Sequence, residues 1–279
     1  MKIIVTGGTG QLGRAFAVLA DSFEGQIVTL SSREMDVTIP SQVNYSFNQI
    51  RPDVVIHAGA FTAVDAAETS PMQAFKVNVV GTRNIAAACL NYNSKMIYLS
   101  SDYVFDGKQN HPYTEFDRPN PINVYGSSKL EGELIAARIC PKLFIIRTSW
   151  LYGDGRNFVH TILKLAQEKE YLTVVSDQTG TPTYTSDLVQ GIMSIIETDE
   201  FGTYHMSNSG YCTWYDFAKE IVRIAGLTTP VQPVRTDEFA APALRPHYSV
   251  LRNYMLELGA GDKFRCWQDA LMDYMQQDR

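Results

Sequence analysis

At 279 residues, with 45% hydrophobic and 19% charged residues, the chain has the make-up of a globular protein with one large α/β core or two smaller ones. Its net charge of -6 and the lack of any long Lys/Arg run argue against nucleic acid or an anionic lipid surface as partner. Cys89, Cys140, Cys212 and Cys266 show no Cys-x-x-Cys spacing and the histidines are scattered, so reduced thiols and no metal site are expected.

The opening apolar run "KIIVT" (2 to 6) leads directly into "GGTGQLG". This puts Gly7, Gly10 and Gly13 at a G-x-x-G-x-x-G spacing between a strand and a helix expected over 11 to 21. Gly7 suits the tight turn, Gly10 a backbone that approaches a pyrophosphate, and Gly13 close packing of helix on sheet. The run also breaks too early for a signal segment, and no later run approaches a membrane-spanning length, so a cytoplasmic location is expected.

The second run, "QIVTL" (26 to 30), ends at Ser31, Ser32 and Arg33, where this fold discriminates the adenosine ribose. Two hydroxyls and a guanidinium suit a 2'-phosphate, so NADPH is the expected cofactor, with NADH left open. Arg33 also reads as a plain surface charge. Asp36 and Val37 are placed to flank the adenine, and Ala58, Gly59 and Ala60 follow the third run, "DVVIHA", beneath the cofactor.

Further apolar runs are "KMIYLS" (95 to 100), "LFIIRT" (143 to 148) and "LTVVS" (172 to 176), with helical patterns near 41 to 50, 71 to 92, 126 to 138 and 157 to 169. Runs that are apolar at consecutive positions predict strands covered on both faces. The alternation predicts a doubly wound parallel sheet, the Rossmann α/β class. Residues 1–176 are expected to bind the dinucleotide and 177–279 to form mainly a smaller C-terminal substrate lobe, with some tail elements free to pack on the main sheet.

The fourth run ends in Ser100 and Ser101, and Tyr125 and Lys129 open the next helix. A hydroxyl at a strand tip and a phenol able to protonate a carbonyl oxygen are what a reductase requires. An ammonium about 4 Å from the phenol is worth about 4 kcal/mol at an effective dielectric near 20, enough to bring the tyrosine toward neutrality. Tyr215 and Lys219 repeat the spacing within an amphipathic helix and read as structural.

"TGGTGQLG", "SSDYVFDG" and "YGSSK" resemble the extended short-chain dehydrogenase/reductases. "AFTAVDAAE", "VNVVGTRNIA", "RTSWLYG", "NFVHTIL", "DQTGTPT", "TWYDFAKEI" and "RPHYS" are similar to the dTDP-4-dehydrorhamnose reductases in particular, over nearly the whole chain. The resemblance implies that Ser101, Tyr125 and Lys129 are catalytic and that Asp102 and Trp150 touch the sugar nucleotide. It also implies that Gly10, Gln11, Leu12, Asp36, Val37, Ala58, Gly59 and Ala60 hold the cofactor, together with Tyr125 and Lys129. Ser101 stands where threonine is frequent, and Ala15 stands where some relatives carry an acidic magnesium ligand, so the metal is not carried over.

The implied reaction is NADPH-dependent reduction of the 4-keto group of dTDP-4-dehydro-L-rhamnose, for a cell-surface polysaccharide precursor, with Arg245 a candidate pyrophosphate partner. Trp150 reads equally as a core aromatic, and Arg245 as a surface charge. A 4,6-dehydratase is disfavoured because Tyr103, not a second carboxylate, follows Asp102. A 4-epimerase, another nucleotide-sugar 4-ketoreductase, and a non-catalytic subunit like that of methionine adenosyltransferase are the alternatives. A homodimer is a family expectation only.

Overall fold

In the computed structural model, which describes residues 1–238, 241–259 and 261–277, six parallel strands form the central sheet. They are β1 (Lys2–Thr6), β2 (Gln26–Leu30), β3 (Val54–His57), β4 (Lys95–Ser101), β5 (Leu143–Thr148) and β6 (Gly202–His205). Their order across the sheet is β6-β5-β4-β3-β1-β2. Because β1 lies between β2 and β3, the chain leaves it in one direction and returns in the other. The loops after β1 and β3 part there, and the crevice they leave is where doubly wound sheets hold ligands.

The runs of consecutive apolar residues follow from helices on both faces. Ile3, Val5, Ile56 and Phe144 pack with Phe16 of α1 (Gln11–Ala20) and Leu188 and Ile192 of a tail helix, Thr185–Ile195. Ile4, Val55 and Ile145 point the other way, toward Phe47 of α2 (Pro40–Ile50), Ile85 of α3 (Thr82–Tyr92) and Ala136 of α4 (Val124–Ile139). Each large aliphatic or aromatic side chain so buried contributes about 1.5–3 kcal/mol.

Two expectations change. "LTVVS" is not a strand of the main sheet: Leu172–Val175 pairs in parallel with Val231–Val234 in a separate two-stranded ladder. The place beside β5 is taken by β6, with Gly202 level with Phe144 and His205 level with Arg147. Leu172 and Val174 instead join a second core with Val159 and Ile162 of α5 (Phe158–Glu168), and with Phe217, Ile221, Trp267 and Leu271. That core therefore takes in segments on both sides of residue 177. Residues 239, 240, 260, 278 and 279 of the expected lobe lie outside the described residues.

The helix expected over 71 to 92 is likewise broken into Pro71–Phe75, a π turn at Lys76–Gly81, and α3. The π turn places Asn78 where its side chain accepts from Phe61 N at 2.8 Å and donates to Ser128 Oγ at 2.8 Å. It thereby ties the loop after β3 to α4, a use typical of π turns at functional sites.

Candidate active site

At the crevice, Gly7 has φ +72, and a Cβ there would stand 2.9 Å from both Cα and N of Gly59. At their start, before they part, the two loops are in contact, which a side chain on Gly7 would prevent. A Cβ on Gly13 would strike the Gly7 carbonyl, so α1 sits hard against the turn. Gly10 caps α1 without a side chain, which leaves first-turn N–H groups for a ligand. Leu12 is buried, and Gln11 Oε1, also buried, has no hydrogen-bond partner among the described residues. A bare backbone cradle at a helix N-terminus fits a dinucleotide pyrophosphate.

The flanking residues are braced. Thr6 Oγ1 accepts from Gly59 N at 2.9 Å and meets His57 Nδ1 at 2.8 Å, while His57 Nε2 lies 3.1 Å from Thr82 Oγ1. Burial holds His57 down to about 3, so this bridge is uncharged at neutral pH. Ala58 and Ala60 are half-buried beside it. Asp36 Oδ1 accepts from Thr38 N at 2.9 Å, and the Val37 carbonyl accepts from Asn84 Nδ2 of α3 at 2.9 Å. At the β2 tip Ser32 and Arg33 are exposed, whereas Ser31 is bonded to Glu34, a residue that the sequence reading passed over.

The second group of residues gathers at the β4 tip. Asn123 caps α4 by accepting from Gly126 N at 2.7 Å, and Glu68 accepts from Val124 N at 2.8 Å. A Cβ on Gly126 would collide with the Tyr103 carbonyl, so only glycine lets α4 begin this close to β4. Tyr125 is thus set beside Ser101, with Tyr103 edge-on at 5.8 Å between ring centroids. Ser101 Oγ donates to Asp102 Oδ1 at 3.0 Å and accepts from Tyr103 N at 3.1 Å.

The electrostatics differ from expectation. Burial raises Tyr125 to about 12; the Ser101 hydroxyl lowers it and the Asp102 carboxylate raises it. The anticipated pull of Lys129 is not among these influences, because Lys129 Nζ donates to the Leu99 carbonyl at 2.6 Å and sits 4.2 Å from the Tyr98 ring centroid. Burial likewise raises Asp102, to about 6, with the Ser249 and Ser101 hydroxyls opposing.

Beside this group opens a cleft of about 870 Å³, lined by Tyr103, Phe158, Gln178, Trp214 and Arg245 among others. Arg245 is paired with Asp65 at 2.8 Å, and Asp65 also accepts from Ala243 N at 3.2 Å. Trp150, at φ +45, stacks on Trp214 with ring centroids 3.5 Å apart, and it lies over Gly180, where a Cβ would collide with the indole. Trp214, rather than Trp150, lines the cleft. It stands next to Tyr215 in the sequence, and its position in the tail helix Trp214–Ile224, after a short strand, was the available signal. Tyr215 lies 5.1 Å beneath the Lys219 ammonium, on a helix apart from the β4 tip.

The family model for the RmlD substrate binding domain matches residues 1–279. The chain belongs to that family. The spore coat polysaccharide biosynthesis protein SpsK of Bacillus subtilis is 39% identical over 277 residues, covering 99% of this chain and 97% of SpsK. The crystal structure of a dTDP-4-dehydrorhamnose reductase from Clostridium acetobutylicum superposes with a TM-score of 0.97 at 45% identity, covering 99% of each chain. That of the Bacillus anthracis reductase, in complex with NADP, also gives 0.97, at 41% identity and 99% coverage of each. The fold is therefore that of the reductases in this family, and no helix among the described residues is long and apolar enough to cross a membrane.

Proposed function

We propose that this chain is an NADPH-dependent oxidoreductase that reduces the 4-keto group of dTDP-4-dehydro-L-rhamnose to give dTDP-L-rhamnose, a precursor for cell-surface polysaccharide. The observation that carries the reading is Tyr125 set beside Ser101 at the β4 tip, next to Tyr103 of the cleft wall. Gly7, Gly10, Gln11 and Gly13 would hold the pyrophosphate, with Asp36, Val37 and Ala58–Ala60 along the adenosine side. The reduced nicotinamide, when bound, supplies the hydride.

The chain's own residues do the rest. Ser101 Oγ holds the keto oxygen, and its bond with Asp102 sets the hydroxyl's direction. Tyr125 protonates that oxygen as negative charge forms; burial, which raises the phenol to about 12, keeps it neutral and able to donate at neutral pH. Lys129, within the same helix face, is positioned to hold the nicotinamide ribose once it leaves the Leu99 carbonyl. Asp102 and Trp150 serve the sugar, Trp150 through the Trp214 wall, and Arg245 is placed at the cleft to meet the diphosphate.

Residues 1–176 would bear the cofactor, while the cleft is lined from both sides of residue 177, by Phe158 and Val174 as well as Trp214 and Arg245. The described thiols, Cys89, Cys140, Cys212 and Cys266, are free, which supports a reducing, cytoplasmic setting. A second copy of the chain is the expected macromolecular partner, and light scattering of the purified protein checks it. The reaction itself is tested by NADPH oxidation with dTDP-4-dehydro-L-rhamnose, comparing wild type with Tyr125→Phe. A kcat loss of about 10²–10⁴-fold is expected for removal of a general acid. Equal activity would remove Tyr125 from that role.

A further inference from the structure

The tip of β2 carries a carboxylate that its strand-end residues do not announce. The Leu30 carbonyl accepts from Gly8 N at 2.9 Å, which seats this tip against the glycine cradle. The chain then turns, with Glu34 N and Met35 N donating to Ser31 O at 3.1 and 2.9 Å. Glu34 folds back so that one oxygen, Oε2, accepts from Ser31 N at 2.8 Å and from Ser31 Oγ at 2.7 Å. These two bonds hold the carboxyl below its ordinary range, so it is anionic at neutral pH. Glu34 and Arg33 are both exposed, and Arg33 has no ion pair among the described residues.

We propose that Glu34 sets the chain's choice between NADH and NADPH, by occupying the N–H and hydroxyl of Ser31 that a ribose 2'-phosphate would otherwise take. This rests on the dinucleotide reading above. A free 2'-hydroxyl is a donor and finds in Glu34 an anionic acceptor, the role a carboxylate at this strand end plays in NAD-binding sheets. A 2'-phosphate is repelled by the same group and binds only when Glu34 swings away, leaving Ser31 and Arg33 to hold it. The surface position of Glu34 leaves it free to swing. Both nucleotides are accommodated, and Glu34 and Arg33 act in opposite directions on their ratio.

The test is equilibrium binding of NADPH and NADH to the purified full chain without sugar substrate, followed by nucleotide fluorescence at fixed salt. Wild type, Glu34→Gln, Glu34→Ala and Arg33→Ala are compared after their thermal midpoints are matched. Both Glu34 variants should tighten NADPH relative to NADH by roughly tenfold, and Arg33→Ala should weaken NADPH while sparing NADH. An NADPH/NADH ratio unchanged in both Glu34 variants would overturn the proposal while leaving the reductase reading intact. Failure of wild type to bind either nucleotide would overturn both.

Discussion

Lys129 of α4 donates its ammonium proton to the Leu99 carbonyl of β4 at 2.6 Å, buried under the Tyr98 ring. Burial lowers its pKa from 10.5 to about 7, while Glu133 pulls it upward. The groups facing it are His57 from β3, Tyr98 from β4 and Glu133 from its own helix. Since the folded-state value is depressed, the contribution to stability is present above about 10.5 and lost as pH falls through about 7. The gap in melting temperature between wild type and Lys129→Met, without cofactor, should therefore move in favour of wild type between pH 7 and 10. A gap that stays constant would contradict a buried, depressed lysine.

Ser101 is fixed from two sides, donating to Asp102 and accepting from Tyr103 N. Ser101→Ala should lower kcat by about 10²–10³-fold, the usual loss for one donor at a developing oxyanion. Ser101→Thr keeps the hydroxyl and should stay close to wild type. Steady-state kinetics with both variants checks this, and equal losses would point to packing instead of the hydroxyl.

Glu133 and Arg147 form a two-pronged pair in the interior, at 3.0 and 2.7 Å, with side chains 4% and 6% exposed. Ser100 Oγ adds a third bond to Glu133 at 2.5 Å. Replacing Glu133 by Leu should destabilise the fold by about 3–5 kcal/mol, because a buried guanidinium is left uncompensated. Adding Arg147→Met should recover much of that loss in a urea melt.

Asp65 pairs with Arg245, a residue of the cleft wall, and also accepts from the backbone of the tail at Ala243. Asp65→Ala should raise KM for the sugar nucleotide by roughly tenfold, about 1.4 kcal/mol, and change kcat less. A fall in kcat with KM unchanged would place Arg245 away from the ground-state complex. Arg245→Lys with Asp65 intact should raise KM as well, since an ammonium cannot keep the guanidinium's paired geometry with Asp65.

Much of the N-terminal part of the fold was legible locally. The glycine spacing works because strand, turn and helix follow within a dozen residues, and consecutive apolar runs mark strands covered on both faces. The relation of Tyr125 to the β4 tip followed from element order alone, since parallel strands bring their carboxyl ends to one edge. Tyr215 and Lys219 could be set aside for the same reason.

The chain by itself therefore determined five strands of the sheet, the glycine turn and the neighbourhood of Ser101 and Tyr125, because each depends on residues close in sequence or on the common direction of the strands. Only the tertiary structure decided that β6 displaces Leu172–Val175 from the sheet edge and that Trp214, with Trp150 stacked on it, lines the cleft. It also decided that Lys129 turns to Leu99, and that Arg245 meets Asp65 from 180 residues away. Such contacts follow from which surfaces pack against one another, and burial then sets the charge state of Tyr125 and Lys129 more strongly than their spacing along a helix.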